Sequence, residues 1–203
     1  MKIVMKLLPA LVAFAALIGT AHATIEVGQS APDFTLTDIT GHTHSLSDYK
    51  GKVVVLEWNN PACPFVKKHY DSGNIPTLQK NAAADGIVWL TINSGAPGSE
   101  GACSTPVEIK SWLQKNAAVP TAYFCDSDGK VGHLYGAKTT PDMYVINADG
   151  VLVYKGAIDS IRSADIADIA HATNYVKAAL DALKSSQPIA KPVSEPYGCS
   201  VKY

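Results

Sequence analysis

The chain has 203 residues, 47% hydrophobic and 17% charged, with a formal net charge of −1. With a single arginine, Arg162, and no basic run, it lacks the positive surface needed to grip a phosphate backbone, which excludes nucleic-acid binding. The length suits one domain with its own core.

Residues 1–23 read as a secretory signal. Lys2 and Lys6 are followed by a short apolar stretch from Leu7 to Ile18, broken only by Pro9, and then by the small-x-small site Ala21-His22-Ala23. The stretch is shorter than the roughly 20 residues a spanning helix needs. Cleavage near Ala23 and export to the periplasm or the exterior are expected, with no membrane span afterwards. Residues 24–184 then form the domain, and 185–203 a tail punctuated by Pro188, Pro192 and Pro196.

Pro32 to Leu36 alternates and predicts a short strand, turned at Gly41-His42. Val53 to Trp58 is a continuous apolar run, as in a strand covered on both faces. Cys63 to about Ala84 reads as helical, interrupted at Gly73 and Pro76. Gly86 to Ile92 is a second buried strand. A long loop, Asn93 to Thr105, carries Cys103. Thr105, Pro106 and Glu108 then open a helix that runs to Asn116. Thr121 to Cys125 is a strand, and Asp126 to Gly129 a turn. Met143–Ile146 and Val151–Tyr154 form a hairpin across Asn147-Ala148-Asp149-Gly150. Thr173 to Lys184 is an amphipathic helix. This order implies an α/β fold, a mixed sheet with helices on both faces.

Cys63 carries the chemistry. Pro64, which has no N–H, suits the first helical position and makes Cys63 the helix cap. The free amides of Phe65 or Val66, the helix dipole, and Lys67 if it turns inward all favour a thiolate. Such cysteines fall from a pKa of about 8.5 to about 3.5–7.5, and the thiolate attacks disulfides or peroxides. The alternative is a buried, inert cysteine.

The strand, Trp58, Cys63-Pro64 helix start and Thr140-Pro141 before the hairpin resemble thioredoxin-fold proteins. Over about residues 26–158 the chain is most similar to the redoxins: the alkyl hydroperoxide reductase/thiol-specific antioxidant and peroxiredoxin-like family. The entry Gly28-Gln29-Ser30-Ala31-Pro32-Asp33-Phe34 and Leu46 to Lys52 share that likeness. The resemblance implies a thioredoxin-like three-layer fold with an N-terminal β-hairpin extension. Cys63 matches the first cysteine of the thioredoxin Cys-x-x-Cys motif, and Val66 stands where the second would be. Glu57 matches a buried acid that helps proton transfer, and Pro141 the cis-proline facing the active cysteine. Peroxiredoxins carry Pro and Thr seven and three residues before their cysteine; here Leu56 and Asn60 occupy those positions.

Trp58 walls the site or packs in the core. Asn60 donates to the sulfur or substrate, or simply shapes the loop, and Pro61 lies in the same approach. His42 with His44, and Cys63 with His69, lack a suitably spaced third ligand, so neither metal nor cofactor is expected. Oxidised Cys63 requires another thiol. Cys103 and Cys199 are the candidates, unless Cys103 is stapled to Cys125. Fully extended, the 15 residues between Lys184 and Cys199 span about 50 Å, so reach does not restrict the tail. The expected function is an exported thiol oxidoreductase in which Cys63 attacks a peroxide or disulfide, with an external thiol as reductant. A redox-inactive binding module and a copper-handling protein are the alternatives.

Overall fold

The computed structural model describes residues 25–203; the expected signal segment lies outside them. The centre is a five-stranded sheet in the order β5-β4-β3-β7-β8. It comprises β3 (Val54–Trp58), β4 (Val88–Asn93), β5 (Ala122–Cys125), β7 (Asp142–Ile146) and β8 (Leu152–Gly156). β3, β4 and β5 run parallel; β7 and β8 are antiparallel additions. The N-terminal hairpin, β1 (Thr35–Thr37) with β2 (Thr43–Ser45), stands beside it. Pro32 and Asp33 stay outside β1 because the Asp33 carboxylate caps the backbone, accepting from the Phe34 and Ser47 amides.

Side-chain alternation splits the core in two. Val54, Leu56 and Trp58 join Leu90, Ile92, Tyr144 and Ile146 on the face covered by the N-terminal segment and α4 (Lys130–Tyr135). Val55, Trp89, Met143 and Val145 face α1 (Pro64–Asp71), α2 (Asn74–Ala84) and α5 (Tyr175–Lys184). α3 (Pro106–Lys115) begins with the expected capping box, in which Thr105 and Glu108 bond reciprocally.

Three expectations change. Of the two interruptions foreseen after Cys63, only Gly73 is real: its φ of 75° ends α1. Pro76 sits in the first turn of α2, where an N–H has no intrahelical partner. Second, α4 follows the Asp126 turn unannounced. Gly132 weakens its helical pattern, and the helix start is held instead by the Asp126 carboxylate, which accepts from the Val131 and Gly132 amides. Third, the tail is docked. Val193 bridges Lys155 beside β8, Ser194 bonds Tyr154 and the Ala157 amide, and β9 (Cys199–Ser200) pairs with β6 (Thr139–Thr140).

Cys103 and Cys125 form a disulfide 22 residues apart in sequence, with Cα atoms 5.6 Å apart. It ties the long loop to the end of β5 and removes Cys103 from the candidates for resolving Cys63. Closing a loop of this size stabilises by about 3 kcal/mol. A Cys103→Ser/Cys125→Ser double variant is therefore expected to lose roughly that stability in urea unfolding.

Candidate active site

β3 delivers the chain to a tight turn shaped by Asn60. Its backbone carbonyl accepts from the Cys63 amide at 3.0 Å and its side-chain oxygen from the Ala62 amide at 2.8 Å. Its NH2 donates to the Glu100 carbonyl at 2.9 Å. Both ends of the amide are occupied, so Asn60 shapes the turn and gives no bond to the sulfur. Pro61 lies in this turn, and Pro64 is the first residue of α1 with Cys63 as its cap.

Cys63 is 2% exposed. Its thiol donates to the Thr140 carbonyl at 3.1 Å, across the cis Thr140–Pro141 peptide. The β6–β9 ladder sets Cys199 directly opposite Thr140, the residue whose carbonyl the Cys63 thiol meets, so both free thiols converge on Thr140. Burial pushes the Cys63 thiol up, but the Cys199 thiol, the Val66 amide and Thr140 outweigh it and leave it below the ordinary range. The Val66 amide favours the thiolate without forming a full capping bond to the thiol. Burial and the neighbouring Cys63 push Cys199 up to about 12. Cys63 is thus the more acidic thiol of the pair, the one more readily ionised. Lys67 points to solvent and gives no inward charge; the buried cation is its neighbour Lys68.

Glu57 is fully buried beneath α1. It accepts from the Tyr70 hydroxyl at 2.6 Å, the Trp89 indole at 2.7 Å, Asn59 at 3.0 Å and Thr91 at 3.2 Å. Burial raises its pKa against these bonds. It shares the Cys63 face of the sheet, yet no hydrogen bond joins the two among the described residues. Trp58 points to the opposite face, packed on Tyr135 and Tyr144 and bonded to Ser94. It belongs to the core and does not wall the site.

Sequence reasoning missed a buried polar cluster that holds the tail just before Cys199. The Tyr197 hydroxyl donates to Asp159, which lies 3.5 Å from the Lys68 ammonium. His69 turns toward Asp159, away from Cys63, and burial holds its pKa down at about 4, so it is neutral. The only clue in the sequence was the Lys68-His69 pair in the helix that follows Cys63.

Asp142, beside Pro141, accepts from the Lys138 amide at 3.0 Å and so closes the Thr139–Thr140 loop. Burial raises its carboxyl to about 7. The folded chain therefore keeps a proton that the unfolded chain, with an ordinary carboxyl near about 3.9, has lost. The resulting stability is full below about pH 4 and disappears as pH rises through about 7. Asp142→Asn is expected to flatten the fall in unfolding free energy between those limits, as followed by denaturant titration across pH.

Comparison with known proteins accords with this geometry. The AhpC/TSA family model matches residues 27–155. The thiol-disulfide oxidoreductase ResA of Geobacillus kaustophilus is 31% identical over 144 residues, covering 61% of this chain and 78% of that protein. Peroxiredoxin Bcp of Bacillus subtilis is 61% identical over 55 residues, 23% of this chain and 35% of that protein. The crystal structure of an uncharacterized conserved protein from Geobacillus kaustophilus aligns with a TM-score of 0.75 at 27% identity, covering 89% of this chain and 94% of that one. The fold is thioredoxin-like, with the mixed sheet, flanking helices and N-terminal hairpin in place. The family match takes in Cys63 and Thr140-Pro141 and stops before the tail; the chain belongs to the AhpC/TSA family.

Proposed function

We propose that the chain is an exported two-cysteine thiol oxidoreductase, with Cys63 as nucleophile and Cys199 as resolving thiol. The observation that carries this is the docking of Cys199 opposite Thr140, whose carbonyl accepts from the Cys63 thiol. The Cys103–Cys125 disulfide supports an oxidising compartment, as does the expected signal.

Disulfide exchange suits the site better than peroxide reduction. Asn60, three residues before Cys63, has both amide ends engaged and offers no hydroxyl to orient a peroxide. The Cys63 thiolate attacks one substrate sulfur, forms a mixed disulfide and expels the other sulfur as a thiolate. Cys199 then attacks the Cys63 sulfur, its proton passing to the second departing thiol. The substrate gains two electrons, and Cys63 and Cys199 become a disulfide. External thiols return the pair to its reduced form.

Non-reduced peptide mapping after one equivalent of a small disulfide is expected to show a Cys63–Cys199 bond. Cys63→Ser should cut turnover by about a thousandfold or more, as expected for loss of a nucleophile. Cys199→Ser should keep the first step and accumulate the mixed disulfide on Cys63. The proposal fails if wild type forms no Cys63–Cys199 bond and Cys199→Ser turns over at the full rate.

A further inference from the structure

The loop closed by the Cys103–Cys125 disulfide reaches both the turn that carries Cys63 and the tail that carries Cys199. Its Glu100 carbonyl accepts from the Asn60 NH2 at 2.9 Å. Gly101 follows with a φ of 72°, and a side chain there would overlap the Asn60 amide. The loop backbone thus lies hard against the residue that shapes the turn into the helix, where Asn60 accepts from the Ala62 and Cys63 amides. On its other side, the Ala96 amide donates to the Lys202 carbonyl at 2.6 Å. Tyr203, the next residue, anchors the tail through its hydroxyl, which donates to the Ala137 carbonyl at 2.8 Å.

Between β4 and α3 this loop has neither strand nor helix of its own. Asn93, the last residue of β4, gathers its two sides. The Asn93 side chain donates to the Gly101 carbonyl at 2.8 Å and accepts from the Gly95 amide at 2.9 Å. Cys125 sits opposite Asn93 in the β4–β5 pairing, so the disulfide fixes Cys103 beside the same anchor. Each hydrogen bond contributes little alone, whereas the covalent bond holds Cys103 at the end of β5 whatever those bonds do. Both cysteines are half-buried, which leaves the bond open to a small dithiol.

We propose that residues 95–101 position Cys63 for reaction and that the Cys103–Cys125 disulfide sets this positioning: a closed bond keeps Cys63 reactive, and an open bond turns it down. This rests on Cys63 being the reactive thiol. A dithiol opens the bond in two exchanges. Its first thiolate attacks one cysteine sulfur and expels the other as a thiolate. Its second thiolate then attacks its own first sulfur, expels the remaining cysteine and leaves the reductant as a disulfide. Two electrons pass to Cys103 and Cys125, and two protons convert them to thiols. The freed loop loses its grip on Asn60 and Lys202, which slackens the turn beneath the Cys63 helix cap and loosens the tail. Asn60, Glu100 and Gly101 are positioning residues, acting on Cys63 through that turn.

The test uses the full chain with Cys199→Ser, which leaves Cys63 as the only free thiol among the described residues. Its alkylation by iodoacetamide is followed across pH in this parent and in two variants of it. One adds Cys103→Ser/Cys125→Ser; the other adds Gly101→Ala, which disturbs the Asn60 contact with the disulfide intact. Both are expected to move the profile to higher pH and to slow the rate at pH 7 by about three- to tenfold, the worth of one hydrogen bond. Leu152→Ala, a truncation in the core on β8, costs stability through a cavity and should leave the profile in place. Opening the bond in the parent with dithiothreitol, removing the reagent and reading Cys63 labelling by peptide mapping makes the same comparison without substitution, and decides if the double serine variant does not fold. An unshifted profile with the bond open or in Gly101→Ala, or an equal shift in Leu152→Ala, would overturn the proposal. The redox reading fails on a different observation: absence of a Cys63–Cys199 bond in oxidised wild type removes the resolver and leaves this contrast intact.

Discussion

The carboxyl group of Glu57 is the constraint around which the active half of the molecule is assembled. Its two oxygens accept from β4 through Trp89 and Thr91, from α1 through Tyr70, from α2 through Gln79, and from the loop through Asn59. All these donors lie in a dry core, where a buried polar group left without its partner costs about 1–3 kcal/mol. The group therefore fixes how α1 lies on the sheet, and through α1 it fixes the height of Cys63 under the Thr140 carbonyl. A hydrocarbon of similar size would orphan several donors at once. This explains an acid in the middle of an otherwise apolar strand.

The thiol chemistry follows from the same economy of contacts. Among the described residues, no cation contributes to the lowering of the Cys63 thiol. Its bias toward the thiolate comes from an amide at the helix start, the Thr140 loop and the second thiol. Because Cys63 and Cys199 share one environment, stabilising a thiolate on one raises the proton affinity of the other. In the proposed redox role, the division of labour between nucleophile and resolver is thus a property of the pair, set by which sulfur sits at the helix cap.

What could be read from the sequence was local. Apolar runs marked β3 and β4, Asn147 to Gly150 marked the hairpin, and Thr105 with Glu108 marked the start of α3, because each signal spans only a few residues. The Cys63-Pro64 cap was legible for the same reason, whereas the Thr140-Pro141 loop was expected only from the family resemblance. Pairings across long stretches of chain were not. Four cysteines admitted several connectivities, and the choice of Cys125 for Cys103 depends on where β5 ends beside β4. Lys67 and Lys68 are indistinguishable in composition; only the rotation of α1 on the sheet decides which is buried. Nor did the prolines of the tail reveal that Ser194 and Tyr197 find partners in the core.

The docked tail also has a thermodynamic meaning. A disulfide between cysteines so far apart in sequence depends on how often the two sulfurs meet in the reduced state. Here that frequency is set by the hydrogen bonds and ring contacts of residues 192–203, including those of Ser194, Tyr197 and Tyr203 away from the sulfurs. A tenfold weakening of tail docking lowers the effective concentration of Cys199 tenfold and moves the reduction potential of the pair by about 30 mV. If the two thiols act as proposed, the oxidising strength of the pair is therefore adjustable at tyrosines whose rings never touch sulfur, leaving Cys63 and its helix unchanged.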